Sequence, residues 1–363
     1  MKDYSKQNNE RIVKNTLTLY VRTALVMLVS LFTSRVVLSA LGIEDYGIYN
    51  IVGGVVVMFS VVSGALSASI SRFITFELGR ADMRKLRRIF STSINIQVGI
   101  SLLILILGET VGIWFLNYKM NIPLDRLEAA NWVLQCSLIT FVINLVSVPY
   151  NAVIIAHEKM SAFAYVSILE VILKLLIAYL LYISIWDKLV VYSLLLVLVA
   201  MTIRIVYGVY CNRHFFETRY QLVFDRTLIR DMTSFAGWGF FTNTAYLFNT
   251  QGINILINMF FGVGVNAACG IATQVESAMM RFVNDFTTAL NPQITKSYAI
   301  GNFDVMNKLV IRGAKFSYFL LFALSLPILL ETHYILDFWL GKVPEHTVTF
   351  IRLVTIGTMI DRL

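Results

Sequence analysis

Charge is scarce in this 363-residue sequence: Asp, Glu, Lys and Arg supply 14% of it, against about 25% in an ordinary globular chain. So few charges cannot cover a water-soluble surface of this size. Proline is rare as well, with five residues, which excludes a proline-rich low-complexity chain and leaves long helices largely uninterrupted. The three cysteines, Cys136, Cys211 and Cys269, exclude a disulfide scaffold. All three lie in or beside apolar segments and read as buried, inert thiols. The four histidines are scattered. His157-Glu158 opens a zinc-protease pattern, but Ser161 stands where the second histidine must be. Gly262-x-Gly264-x-x-Ala267 resembles a dinucleotide turn, yet it joins two apolar segments with no strand before it. No Walker A sequence is present. These absences leave no catalytic residue, metal site or cofactor to assign, and a non-enzymatic protein is the expectation.

What the sequence does have is apolar length. Hydrophobic residues make up 57% of it and the mean hydropathy is +0.71. Runs long enough to cross a ~30 Å hydrocarbon core as helices recur throughout. They fall at about residues 16–40, 46–70, 91–116, 129–155, 162–186, 189–210, 234–261, 266–290, 314–338 and 347 to the end. The expected fold is therefore all-α, a polytopic membrane protein of about ten transmembrane helices. The N-terminal basic flank and apolar run read as a retained first span, since the run is longer than a signal-peptide core and lacks a convincing cleavage site.

Lysine and arginine set the orientation. With the N-terminus inside, eighteen of them fall in inner segments, including Arg84, Arg87 and Arg88, and Arg213, Arg219, Arg226 and Arg230, whereas outer connectors hold only Lys119, Arg126, Lys188 and Lys342. The formal net charge of +8 is thus mainly a topology signal and no nucleic-acid partner is expected. The basic loops should face the anionic inner leaflet.

The chain also repeats itself. The junction Leu41-Gly42-Ile43-Glu44-Asp45-Tyr46-Gly47-Ile48 is echoed at Phe261 to Ile271, and Leu78-Gly79-Arg80-Ala81-Asp82 at Ile300-Gly301-Asn302-Phe303-Asp304, with an offset near 220 residues. That spacing implies two six-helix halves of the same hand. The division is a first bundle at 1–211, a cytoplasmic connector at 212–233 and a second bundle at 234–363. Set against the first, the second half looks incomplete, which is the expectation for a truncated chain or a reduced half.

Several stretches resemble bacterial polysaccharide and O-antigen flippases of the multidrug/oligosaccharidyl-lipid/polysaccharide (MOP) exporter superfamily. They are Leu41 to Tyr49, Ser71-Arg72-Phe73 with Glu77-Leu78-Gly79, Pro149-Tyr150-Asn151-Ala152, and Ala156-His157-Glu158-Lys159-Met160. The resemblance implies two six-helix bundles around a central cavity. It also implies a function: moving an undecaprenyl-pyrophosphate-linked oligosaccharide to the outer leaflet of the bacterial inner membrane, for O-antigen or capsule. The partners so implied are that lipid-linked oligosaccharide, the bilayer, an H+ or Na+ counter-ion and other polysaccharide-assembly proteins. A peptidoglycan-precursor flippase and a drug/cation antiporter of the same superfamily are alternatives, and a membrane-embedded glycan polymerase or glycosyltransferase is a more distant one.

Ionisable residues inside spans cost roughly 2.5–3.5 kcal/mol each at the centre on insertion scales, so they are the candidate site. Lys174 lies at the middle of its expected span, about 18 Å from either end, with Glu170 one turn before it. The two form either a neutralising pair or a substrate or proton site. Arg281 has Asp285 one turn on and Glu276 nearby. Its helix carries a polar stripe of Thr273, Ser277, Asn284 and Thr288, and the preceding span adds Asn243, Thr250, Asn254 and Asn258. These stripes read as a cavity face, although small polar groups also mediate helix packing. Arg22 and Arg204 sit nearer span ends. For a pyrophosphate cargo the candidate cations are Arg281, Lys174, Arg22 and Arg204, and the candidate coupling carboxylates are Glu170, Glu276 and Asp285. The topology predicts that a reporter active only in the cytoplasm stays active when fused within 212–233 and is silent when fused after Pro123; the reverse pattern would refute an inside N-terminus.

Overall fold

A computed structural model of the chain describes residues 2–57, 59–120, 122–340 and 345–361. The described residues form twelve α-helices and no strand. In order they are α1 (Lys2–Leu41), α2 (Ile43–Val57), α3 (Ser60–Arg80), α4 (Met83–Leu107), α5 (Ile113–Tyr118), α6 (Leu127–Ala156), α7 (Met160–Leu180), α8 (Lys188–His214), α9 (Arg226–Ala299), α10 (Phe303–Leu330), α11 (Thr332–Leu340) and α12 (Thr347–Ile360). Among the described residues, six helical segments are long and apolar enough to cross a membrane: Glu10–Leu41, Met83–Tyr118, Leu124–Ala156, Met160–Leu180, Lys188–His214 and Phe303–Leu330. Each overlaps an expected span, and the chain is a polytopic all-α membrane protein.

The other expected spans differ in their boundaries. The span at 46–70 is divided between α2 and α3. The Gly53-Gly54 pair and the valines after it are poor helix formers, and they weaken the run just before the division. Conversely, the expected break between 261 and 266 is absent, and α9 is continuous over 74 residues. Glycine at 262 and 264 costs about 1 kcal/mol each but keeps its N–H, so nothing there forces the helix to end. At 1.5 Å per residue α9 has a contour of about 111 Å, which contains the length of both expected spans. The span at 162–186 ends early as α7 at Leu180, followed by turns. Lys174 is consequently about 9 Å from a helix end, not 18 Å.

The chain divides into two compact units, Val21–Phe240 on one side, and Met1–Tyr20 with Phe241–Leu363 on the other. The first is organised around α6, which packs against α2, α3, α4, α7 and α8. Apolar burial is not the force that holds such helices together, because lipid is as apolar as leucine; close van der Waals packing is. Gly108 shows how close. It begins a π-helical turn, Gly108–Gly112, between α4 and α5. A Cβ at 108 would stand 2.5 Å from Leu138 Cδ1 of α6, so any larger residue must displace that buried leucine. Some buried hydroxyls bond within their own helices, as Ser93 does to the Ile89 carbonyl at 2.7 Å and Ser147 to that of Ile143 at 2.8 Å, whereas Ser69 Oγ crosses from α3 to the Met232 carbonyl of α9 at 2.9 Å. In the other unit, Ala272, Leu336 and Ile351 form one small core and Met279, Val283 and Leu321 another.

One polar clamp ties three connectors of the first unit. Arg126, just before α6, donates from Nε to Asp45 Oδ1 at 2.9 Å and from Nη1 to Asp187 Oδ2 at 2.6 Å. Asp45 lies in the first turn of α2, and Asp187 caps α8 by accepting from the Leu189 amide at 2.9 Å. Burial opposes ionisation of Asp187, but bonds from Arg126 and the Val190 and Leu189 amides outweigh it and hold this carboxyl below the ordinary range. A depressed carboxylate contributes stability that is complete above its unfolded value near 4 and is lost as pH falls through the folded value. Replacing Arg126 by alanine should cost roughly 1–2 kcal/mol for a partly exposed network and lower the melting temperature in lipid by a few degrees at pH 7. The difference from the unsubstituted chain should shrink below about pH 4. An unchanged melting temperature would remove the clamp from the account of stability.

Candidate functional site

Three adjoining cavities lie within Val21–Phe240, and Tyr49 of α2 lines all of them. The first, about 220 Å³, is bounded by Ser30, Thr33 and Ser34 of α1, Tyr46, Tyr49 and Asn50 of α2, Lys174 of α7 and Tyr192 of α8. The second, about 180 Å³, is lined by Tyr49, Thr140 and Asn144 of α6, the Glu170 and Lys174 pair, and Tyr192. The third, about 220 Å³, continues past Thr140 and Asn144 to Ser137, Cys136 and Ser193. Tyr49 and Tyr192 meet edge to face with centroids 5.0 Å apart, so one aromatic pair stands between the three spaces.

The walls are mixed and more apolar than polar, and their polar part recurs for regular reasons. Ser137, Thr140, Asn144, Ser147 and Asn151 recur at spacings of three and four along α6, one face of a helix. On α7, Glu170 and Lys174 are one turn apart, and Lys174 Nζ donates to Glu170 Oε1 at 2.6 Å. The Thr140 Oγ1 is buried without a hydrogen-bond partner. A space of this size with some polar groups in its wall has room for water, at ~30 Å³ per molecule, or for one small ion with part of its shell. It is below the roughly 300–1,000 Å³ of ordinary ligand pockets, too small for an oligosaccharide.

The other sequence candidates are placed as follows. The Arg22 guanidinium carbon stands 4.6 Å from the Phe163 ring centroid, and that of Arg204 4.0 Å from the Tyr150 ring. Both cations thus lie over aromatic faces, an arrangement that lowers the cost of a charge in an apolar setting. Tyr207 lies in the field of both Glu170 and Arg22, so Arg22, Glu170, Lys174 and Tyr207 form one neighbourhood. Arg281 belongs to the other unit, as do Asp285 and Glu276. Arg281, Asn284, Ser277 and Asn243 are exposed. Glu276 Oε1 accepts from Thr358 Oγ1 of α12 at 2.9 Å. Within the polar stripe, Thr273 and Thr288 direct their hydroxyls to the carbonyls of Gly270 and Asn284. The side chains of Thr250, Asn254 and Asn258 lie outside the described residues. Sequence reasoning missed Tyr49, Tyr192, Thr140 and Asn144. The signal was the α6 stripe, overshadowed by attention to charges.

With this geometry in place, comparison with known proteins is informative. A family model described as polysaccharide biosynthesis protein matches residues 12–298. The chain belongs to that family. Among solved structures, this family member is similar to a MOP-superfamily transporter from Pyrococcus furiosus, described as having a binding pocket of reverse polarity. The TM-score is 0.80 and the identity 13%, over 98% of this chain and 82% of that one. It is also similar to an outward-facing multidrug resistance MATE family transporter of the MOP superfamily, with a TM-score of 0.81 and 13% identity over 98% and 80%. A MATE structure in complex with MaD3S gives 0.80 and 15% over 98% and 80%. At these identities the likeness is one of fold, and the fold is that of a MOP transporter. No curated protein matches in sequence.

The Glu170 and Lys174 pair yields a discriminating expectation. Lys174→Met leaves a carboxylate without its ammonium and should lower the melting temperature by several degrees; adding Glu170→Gln should recover most of the loss, since the two groups are coupled. If transport returns with stability in the double variant, the pair is only a neutralising device. Transport that stays lost at recovered stability makes it part of the working site.

Proposed function

We propose that this polysaccharide-biosynthesis family member flips an undecaprenyl-pyrophosphate-linked oligosaccharide across the bacterial inner membrane by alternating access, supplying O-antigen or capsule assembly. The observation that carries the reading is the family match over residues 12–298 on a MOP transporter fold. Two helix bundles, 1–211 and 234–363, joined by a cytoplasmic connector at 212–233, are the moving parts of this reading. A doubly charged head group entering an apolar interior requires counter-cations, and Lys174, Arg22, Arg204 and Arg281 are the residues that would supply them.

The Glu170 and Lys174 contact suggests how cargo and ion are coupled. While Lys174 donates to Glu170 the pair is neutral and needs no further ion. A phosphate oxygen that draws Lys174 away leaves Glu170 as a lone carboxylate in a low-dielectric wall, and it then takes a proton or a sodium ion. Cargo binding and ion uptake become two halves of one exchange of partners. Glu276 and Asp285 are the corresponding carboxylates of the other unit. Support for this part is the 2.6 Å ion pair lining a cavity.

The test is flipping by the purified chain in proteoliposomes, read by the access of an outer enzyme to a fluorescent isoprenoid-pyrophosphate oligosaccharide. The chain should transfer the cargo, and Lys174→Met or Arg281→Ala should slow transfer at least tenfold at equal protein content. Unimpaired variants would overturn their roles, and an inert chain with this class of lipid would overturn the reading itself. New glycosidic bonds in the same vesicles would favour an enzyme instead.

A further inference from the structure

Residues between α8 and α9 run as an extended strip along the first turns of α4. Arg87 Nε donates to the Arg219 carbonyl at 2.8 Å, the Gln221 amide donates to Ser91 Oγ at 3.1 Å, and Asn95 Nδ2 donates to the Val223 carbonyl at 3.0 Å. The two periods match: four helical residues rise about 6 Å and two extended residues about 6.6 Å. Every second connector residue therefore meets every fourth residue of α4, whose side chains satisfy three backbone groups of the strip, the Arg219 and Val223 carbonyls and the Gln221 amide.

The strip is fixed at its start. Glu217, 2% exposed, reaches His157 Nε2 at 2.5 Å, and the His157 ring stacks on Phe215 at 4.3 Å. Phe216 lies between two guanidiniums, those of Arg87 and Arg219, each 5.5 Å from its ring centroid. The free edge is apolar: Leu222 is 87% exposed and Phe224 84%, with the half-exposed Tyr220 ring beside them, its hydroxyl donating to Asn95 Oδ1 at 2.8 Å. Around that edge the exposed charges are mostly arginines, Arg84, Arg88, Arg213, Arg219, Arg226 and Arg230. Of the nearby acids, Glu217 is buried, Asp82 and Asp225 accept from the amides that open α4 and α9, and Asp231 is exposed beside Arg230, so the arginines remain in excess.

The level of the strip follows from α4. Trp114 and Lys119 stack at 5.7 Å at the far end of the Met83–Tyr118 segment, an aromatic and a cation of the kind that marks a membrane boundary. A ~30 Å hydrocarbon core takes about 20 helical residues, and twenty residues back from Trp114 is Ile94. The positions that hold the strip, 87, 91 and 95, are therefore at the opposite boundary.

We propose that residues 219–225 are a membrane-surface segment whose Tyr220, Leu222 and Phe224 edge enters the head-group layer of an anionic phospholipid leaflet while the surrounding arginines pair with its phosphates. Charge complementarity selects the occupant. A neutral or acidic protein patch could cover the apolar edge, but the arginine surround and the position at the bilayer boundary fit anionic head groups. The reading is independent of the cargo, since it needs only the fold and the boundary level.

Site-directed spin labelling tests it on the full chain. The native cysteines are all buried, so Leu222→Cys and Phe224→Cys can be labelled singly at exposed positions, with Leu102→Cys on α4 as a hydrocarbon reference. Collision with oxygen and with a water-soluble nickel chelate is measured in vesicles of phosphatidylcholine alone and with phosphatidylglycerol added. The expected result is an oxygen-to-nickel ratio several-fold above the aqueous value at both positions, rising with phosphatidylglycerol, and losing that rise when Arg219 and Arg226 are both changed to glutamine. A water-like ratio in both lipids overturns the proposal, because the strip is then solvated. Protection from both reagents that varies with protein density overturns it in favour of a second copy. A lipid-like ratio indifferent to phosphatidylglycerol overturns the role of the arginines and with it the choice of occupant.

Discussion

Hydrocarbon offers a polar group no hydrogen bond, and this constraint shapes every part of the structure. Backbone groups are satisfied inside helices, and several side-chain hydroxyls are satisfied the same way: Ser93, Ser147, Ser167 and Thr202 each bond to a carbonyl one turn back. Charges are handled in three ways according to place. Arg126 is paired with two aspartates where connectors meet. Lys174 is paired within its own helix turn. Arg22 and Arg204 lie over aromatic rings. Each of these four charges thus has a local partner that compensates it.

Helix existence was legible in the sequence because its signal is length. A run such as Leu189 to Tyr210 has no alternative to a helix in lipid, and α8 follows it closely. Helix ends were less legible. Nothing apolar distinguishes Leu180 from Ile183 or Ile185, yet α7 stops at the first, and the depth of Lys174 halves as a result. The glycine junction at 262 to 264 misled in the opposite sense. Glycine permits a turn but does not require one, and only a proline removes the amide that continues a helix. Even proline is accommodated here, since Pro149, Pro292 and Pro327 all lie within helices.

The candidate site was legible only in its charges. The Glu170 and Lys174 pair is visible at a spacing of four, and the ion pair forms as that spacing suggests. The chamber beside it depends on neutral groups from α1, α2, α6 and α8, and their convergence is a property of packing. Tyr49 and Tyr192 are 143 positions apart in the chain, and no local pattern relates them. The α6 stripe from Ser137 to Asn151 was available as a pattern, but serine and threonine occur on membrane helices for packing as often as for hydration. Only the cavities on that face decide between the two.

Volume limits what this chamber can do. Spaces of about 180 and 220 Å³ admit water, an ion or a phosphate oxygen, and none admits a chain of sugars. On the proposed function, a residue lining them therefore acts on cargo through charge and not through sugar recognition. Lys174 has that character: it lines two of the three cavities, and its one ion pair is with a carboxylate on its own helix. Such a cation changes partner by a rotation of its own side chain, with no helix displaced. An exchange of that kind costs little in packing, which dominates helix association in lipid. In the proposed exchange the electrostatic change is the larger of the two, although access of water to a pair 42% and 36% exposed moderates it. A small rearrangement with a large charge consequence is what a coupling step requires.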